Sequence, residues 1–222
     1  MSFVEITGPD YTALLVRRLR REVPELTWLR QFRRLLRPLV APGDTLLDVG
    51  CATGYAFHAF AELGVRYVGL DAEEAYLEIA RDYFHNDPRV SFVNHDIASA
   101  PLPVRGAIVM TCATIEHCAS LQPSLGHLAS AAERVLAIRT FLGAAEIIER
   151  RPSKVPGHSE GFWKHINQYG FAQMLGFLES SGFAARVYQD AYFRGAPQLV
   201  QDDIVRTFYV VVAVRRDQAG QP

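Results

Sequence analysis

The stretch Leu46-Leu47-Asp48-Val49-Gly50-Cys51-Ala52-Thr53-Gly54 joins an apolar run to a carboxylate and two glycines. Glycine permits a tight turn and lets a ligand approach the backbone without interference from a Cβ. In a doubly wound sheet, the turn from a first strand into a first helix faces the crevice where ligands bind. A dinucleotide fingerprint would need glycine where Ala52 and Tyr55 stand, and a P-loop would need a lysine after Gly54. A second carboxylate, Asp71, ends the run Tyr67-Val68-Gly69-Leu70. An acidic side chain at the end of a second strand accepts hydrogen bonds from ribose hydroxyls and repels a 2′-phosphate. Asp71-x-x-Glu74 also has the form of a capping box, and one residue can serve both purposes. Further on, Asp96-Ile97 follows Phe92-Val93-Asn94-His95, and Ile115-Glu116-His117 follows Thr111-Cys112-Ala113-Thr114. Histidine is the usual general base near neutral pH, so His117 is the candidate for that work; capping or orienting the next helix is the alternative for Glu116 and His117.

These residues need elements to hold them. Between Tyr11 and Val40, leucines and Phe32 recur near helical spacing, with Pro24 dividing two helices. Pro42-Gly43 marks a turn. Strands are then expected at 45–49, 66–70, 90–93, 107–111, 141–148, 183–188 and 207–214, with helices at 55–63, 72–84, 123–137 and 171–181. Seven strands alternating with helices define an α/β domain with a mainly parallel sheet. The last two strands have no helix between them and are expected to be antiparallel neighbours.

On these residues the chain resembles the class I S-adenosylmethionine-dependent methyltransferases. Asp48 to Gly54 is similar to their motif I, D-x-G-x-G-x-G, with Ala52 at the middle glycine, and Ile115-Glu116-His117 is similar to their Leu-Glu-His segment after strand four. The resemblance implies a Rossmann-like, doubly wound, seven-stranded sheet of order 3-2-1-4-5-7-6 over residues 42–222, preceded by an N-terminal helical lid or cap at 1–41. It implies S-adenosyl-L-methionine as cofactor. Asp48 and Gly50 would lie near its methionine portion, with Cys51, Ala52 and Gly54 completing the loop. Asp71 would meet the ribose, Asp96 and Ile97 the adenine. Glu116 and His117 would lie near the methyl-transfer site, where an O, N, S or C nucleophile displaces the methyl group. A nicotinamide-dependent oxidoreductase and a non-catalytic subunit of the same fold are the competing classes.

Composition bounds the remainder. The 222 residues carry a formal net charge of −1 and are 49% hydrophobic, as in a globular protein that needs no disulfide or metal staple. Cys51, Cys112 and Cys118 show no paired spacing, which fits free thiols in a reducing cytoplasm. No signal peptide is expected from the first residues, and the longest clearly apolar run, Tyr209 to Val214, is too short to span a bilayer. No metal is expected: Ala113 stands where metal-dependent relatives carry a carboxylate, and Cys112, His117 and Cys118 lack a second spaced pair for zinc. After the fifth strand, His158, Phe162, Trp163 and His165 lie in a long connection; Phe162, Trp163 and His165 are candidates to line the acceptor pocket or to pack over the core. The near-zero charge conceals an asymmetry, since residues 17–37 hold eight Arg and two Glu. Those helices would present a solvated face, cover a small acidic substrate, or dock RNA phosphates. A small-molecule acceptor is expected over nucleic acid, because the chain has no RNA-recognition motif.

Overall fold

The computed structural model describes residues 3–152, 163–201 and 203–216. Two helices come first, α1 (Phe3–Leu19) and α2 (Thr27–Leu36), with Pro24 in their connection. Then β1 (Thr45–Val49), α3 (Phe57–Phe60), β2 (Arg66–Asp71), α4 (Glu74–Phe84), β3 (Val90–Asn94) and β4 (Gly106–Cys112) follow in turn. Helix α5 (Leu121–Ala131) leads directly into β5 (Ala132–Gly143). Three short strands come next: β6 (Arg150–Pro152), β7 (Trp163–His165) and β8 (Tyr169–Gly170). Beyond α6 (Phe171–Ser180) and β9 (Phe183–Gln189), a hairpin of β10 (Gln198–Gln201) and β11 (Ile204–Arg206) precedes β12 (Phe208–Arg215).

The central sheet runs β3-β2-β1-β4-β5-β12-β9, with β8 paired to the end of β5. Counting only its main strands, this is the order 3-2-1-4-5-7-6 that the resemblance implies. The strands from β3 to β5 are parallel, and β12 lies antiparallel between β5 and β9. The closing strands are therefore antiparallel neighbours, although the β10–β11 hairpin intervenes in the chain. Among the described residues no helix is long and apolar enough to cross a membrane.

Both faces of the sheet are covered. Leu47, Val49, Leu136 and Ile138 pack on one side with Leu125 and Leu128 of α5 and Met174 and Leu178 of α6. Leu46, Ile108, Val135 and Ala137 pack on the other with Leu19, Leu29, Phe32 and Phe57. The N-terminal helices thus share a core with the sheet. Successive side chains of a strand point to opposite faces, so a strand covered on both sides is apolar at consecutive positions.

That geometry overturns one expectation. The helix expected over 123–137 stops at Ala131, and the strand begins at Ala132. Val135 and Ala137 fill one core while Leu136 and Ile138 fill the other, so this run is doubly buried strand. Only Phe141 to Gly143 of the strand expected at 141–148 belongs to β5; Ile148 is half exposed beyond it. The helix expected at 55–63 is also shorter, since α3 gives way to a 3-10 turn at Ala61–Leu63.

Candidate functional site

The carboxyl ends of β1, β2 and β4, with the loop after β3, meet at a cavity of about 720 Å³. At its floor is the turn after β1. Gly50, Ala52 and Gly54 all have positive φ, at 79°, 49° and 71°. This alternation explains the spacing of the small residues, because only glycine adopts such a backbone without cost. A Cβ on Gly50 would lie 2.1 Å from Thr114 Oγ1, and one on Gly54 would lie 2.6 Å from the Phe92 ring. The turn is pinned from behind: the N–H groups of Gly50 and Cys51 donate to the Leu70 carbonyl at 2.8 and 3.1 Å.

Asp71 holds the turn from the side. Its Oδ2 accepts from the Ala52 N–H at 2.7 Å, and its Oδ1 accepts from the Glu73 N–H at 2.9 Å. Burial pushes its pKa up, opposed by these backbone donors. The capping alternative is thus partly realised, although α4 begins at Glu74 and its N-cap position is Glu73. A carboxylate offers about four lone-pair sites, so Asp71 retains acceptor capacity on the cavity wall.

Gly50, Ala52, Asp71, Asp96, Ile97 and His117 all line the cavity. Asp96 accepts from the Ala98 N–H at 2.9 Å, and Ile97 is buried beside it. Asp48, Cys51 and Gly54 do not reach the cavity wall. Asp48 is buried under the turn, where the Tyr67 hydroxyl donates to its Oδ2 at 2.5 Å. Burial pushes the Asp48 carboxyl up to about 7, while the Tyr67 bond acts to lower it. Burial likewise raises all three thiols, Cys112 to about 12.

His117 is exposed at the cavity, and its Nδ1 lies 2.8 Å from the His165 carbonyl oxygen. Glu116 differs from expectation. It is 1% exposed and lies behind the wall, because its place in the 3-10 turn Ile115–His117 points it into the core. There its Oε2 accepts from Thr140 Oγ1 at 2.9 Å, and its Oε1 has no hydrogen-bond partner among the described residues. Trp163 is not on the wall either. It stands 49% exposed on the β6–β7 hairpin under the Arg150 guanidinium. His165 contributes its backbone carbonyl and not its ring, whose pKa is lowered by burial and then by Arg150. His158 and Phe162 lie outside the described residues.

The sequence reading missed part of the cavity lining. Tyr11 and Arg18 of α1, Trp28 of α2 and Arg139 of β5 complete the wall there. Arg139 is 4% exposed and makes a two-point ion pair with Asp190, Nη2–Oδ2 3.1 Å and Nε–Oδ1 3.2 Å. Its guanidinium carbon lies 3.6 Å from the Phe208 ring centroid. A lone arginine inside the apolar run 135–142 was the available signal. Among the described residues no three or more His, Cys, Asp or Glu side chains are grouped to hold a metal ion.

The fold is one that solved S-adenosylmethionine-dependent methyltransferases share. Residues 46–138 match a family model described as a methyltransferase domain. Malonyl-[acyl-carrier protein] O-methyltransferase of Serratia marcescens is 32% identical over 88 residues, 39% of this chain and 33% of that protein. The chain spans about a third of the length of the curated relatives it matches. Among solved structures, a TehB-like S-adenosylmethionine-dependent methyltransferase from Corynebacterium glutamicum superposes with a TM-score of 0.59 at 15% identity, covering 94% of this chain and 100% of that one. Magnesium protoporphyrin IX methyltransferase from Synechocystis PCC 6803 with bound S-adenosylmethionine gives 0.57 at 17% identity, covering 94% and 92%. At these identities the structural likeness concerns the fold.

Proposed function

We propose that this protein is an S-adenosylmethionine-dependent methyltransferase acting on a small molecule. One observation carries the reading: a turn with three positive φ angles, fastened to the Asp71 carboxylate, floors a cavity that His117 also lines. The cavity's volume is in the range of small-molecule sites. The residues fit the cofactor, since Gly50 and Ala52 of the turn line the cavity and Asp71 retains lone pairs toward it.

When bound, S-adenosylmethionine supplies a methyl group already activated on a sulfonium. The protein's part is to bind, orient and exclude water. Asp71 would hold the ribose hydroxyls, Asp96 and Ile97 the adenine, and the backbone of Gly50 and Ala52 the methionine portion. Asp48, Cys51 and Gly54 act by shaping the turn. Tyr11, Trp28 and Arg139 enclose the acceptor, and the segment 1–41 serves as the lid. Fixing the nucleophile in line with the methyl group supplies effective molarity. His117 takes the acceptor's proton at Nε2 when the nucleophile starts protonated. The unpaired thiols suit a reducing cytoplasm.

Calorimetry with S-adenosylmethionine and with NAD separates the two cofactor classes. Binding of the first, followed by methyl transfer to a small-molecule panel, supports the reading; tight binding of NAD alone overturns it. A second reading, methylation of RNA, draws on the exposed arginines Arg17, Arg20, Arg34 and Arg37. Transfer to RNA but to no small molecule would favour it.

A further inference from the structure

A second cavity, about 280 Å³, opens beside the first and shares Arg18, Leu26 and Tyr55 with it. Its charge is one-sided. Arg18, Arg21 and Arg33 line it, against a single carboxylate, Glu25. Glu25 stands 3.5 Å from Arg33 and 4.0 Å from Arg30, while Arg21 has no ion pair among the described residues. The chain reversal after α1 presents Arg21 with a φ of 60°, a conformation that costs a non-glycine residue. His58 completes the wall, its Nε2 2.7 Å from the Leu19 carbonyl oxygen. That carbonyl only accepts, so the Nε2 carries the proton. Burial lowers the pKa of His58, the Leu19 bond acts to raise it, and Arg21 lowers it further.

We propose that this cavity is a phosphate subsite, which holds a phosphoryl group of the methyl acceptor while the nucleophile lies in the larger cavity. Guanidinium forks match phosphate oxygens in geometry and remain charged at every relevant pH. Three of them facing one carboxylate leave a cationic excess that suits a doubly charged group. The site is a single recess of about 280 Å³, a volume that suits the terminal phosphate of a small molecule better than a run of polynucleotide backbone. The acceptor's role rests on the methyltransferase reading; the anion site does not.

The test uses the full chain with inorganic phosphate and pyrophosphate. The ring resonances of His58 are followed by NMR, because an anion placed among Arg18, Arg21, Arg33 and Glu25 favours the protonated imidazole and raises its pKa. Saturable shifts of His58, weakened tenfold or more in the double variant Arg21→Gln, Arg33→Gln, are expected. Neither residue touches the larger cavity, so S-adenosylmethionine affinity should be unchanged in that variant. A His58 resonance that ignores phosphate overturns the subsite, as does a response that survives the double variant. Phosphate binding without S-adenosylmethionine binding would instead retain the subsite and defeat the methyltransferase reading.

Discussion

The Nδ1 of His117 donates to the backbone carbonyl oxygen of His165, 2.8 Å away. A carbonyl oxygen only accepts, so the bond fixes the neutral imidazole as the Nδ1–H tautomer. The lone pair is thereby placed on Nε2, the atom a general base would use. The β6–β7 hairpin, at which the sequence pointed for aromatic pocket walls, contributes this carbonyl instead.

His117→Asn should lower kcat by about a hundredfold or more, the range general-base residues supply. S-adenosylmethionine affinity should hold. If turnover survives at full rate across pH, His117 is not the base. The measurement is steady-state kinetics over pH on an acceptor whose nucleophile carries a proton.

Asp71→Ala should weaken S-adenosylmethionine binding tenfold or more, about 1.4 kcal/mol, because hydrogen bonds to a charged acceptor contribute ~1.5–3 kcal/mol. It should also lower the melting temperature, since the Ala52 and Glu73 N–H groups lose their acceptor. Calorimetry reads the first effect and thermal unfolding the second. An unchanged affinity in a folded variant would remove Asp71 from the binding site.

Ala52 has a φ of 49° at the centre of the glycine turn. Left-handed backbone costs an L-residue roughly 1–2 kcal/mol, and glycine escapes that cost while losing about 0.4–1 kcal/mol through a more flexible unfolded chain. Ala52→Gly should therefore be neutral to slightly stabilising, with cofactor affinity intact. Ala52→Val, β-branched at the same φ, should lose both. Equal damage from both substitutions would mean that the Ala52 methyl is needed for packing.

The Asp48 carboxyl titrates near 7 in the folded protein, raised by burial from 3.8. The folded state therefore keeps a proton that the unfolded chain releases near pH 4. Stability consequently falls as pH rises from about 4 to about 7, by about 4 kcal/mol at most. Asp48→Asn cannot ionise and still offers an oxygen to the Tyr67 hydroxyl. Its melting temperature should exceed the wild type's at about pH 8, with a smaller gap at about pH 5. A deficit that is the same at both pH values would show that Asp48 is charged when folded.

The glycine turn was legible because local geometry dictates it: positive φ at 50, 52 and 54 selects small residues whatever surrounds them. The positions of most strands were legible from short apolar runs with clear ends, whereas their order followed only from the resemblance. β5 was not, because no glycine or proline separates Ala131 from Ala132. Leu125, Leu128, Ala132 and Leu136 also continue at helical spacing into what is a strand. The wall that α1, α2 and β5 give the cavity was illegible for a different reason. Tyr11, Trp28 and Arg139 are far apart in the chain and meet only when α1 and α2 dock against the sheet. No spacing rule links them.

Arg139 shows what that docking protects. Its partner Asp190 is fully buried, and their pairing is closed over by the Phe208 ring. Removing one member of a buried pair strands the other charge, which typically costs about 3–5 kcal/mol. Arg139→Met should therefore destabilise the protein by that amount in urea unfolding. Asp190→Asn added to it removes the stranded charge while leaving an acceptor for the Tyr192 N–H, and should recover most of the loss. The recovered double variant then isolates the arginine's second duty. Because Arg139 lines the cavity, a raised KM for the acceptor at unchanged cofactor affinity would place the guanidinium against substrate, whereas wild-type kinetics would leave the pair a purely structural role.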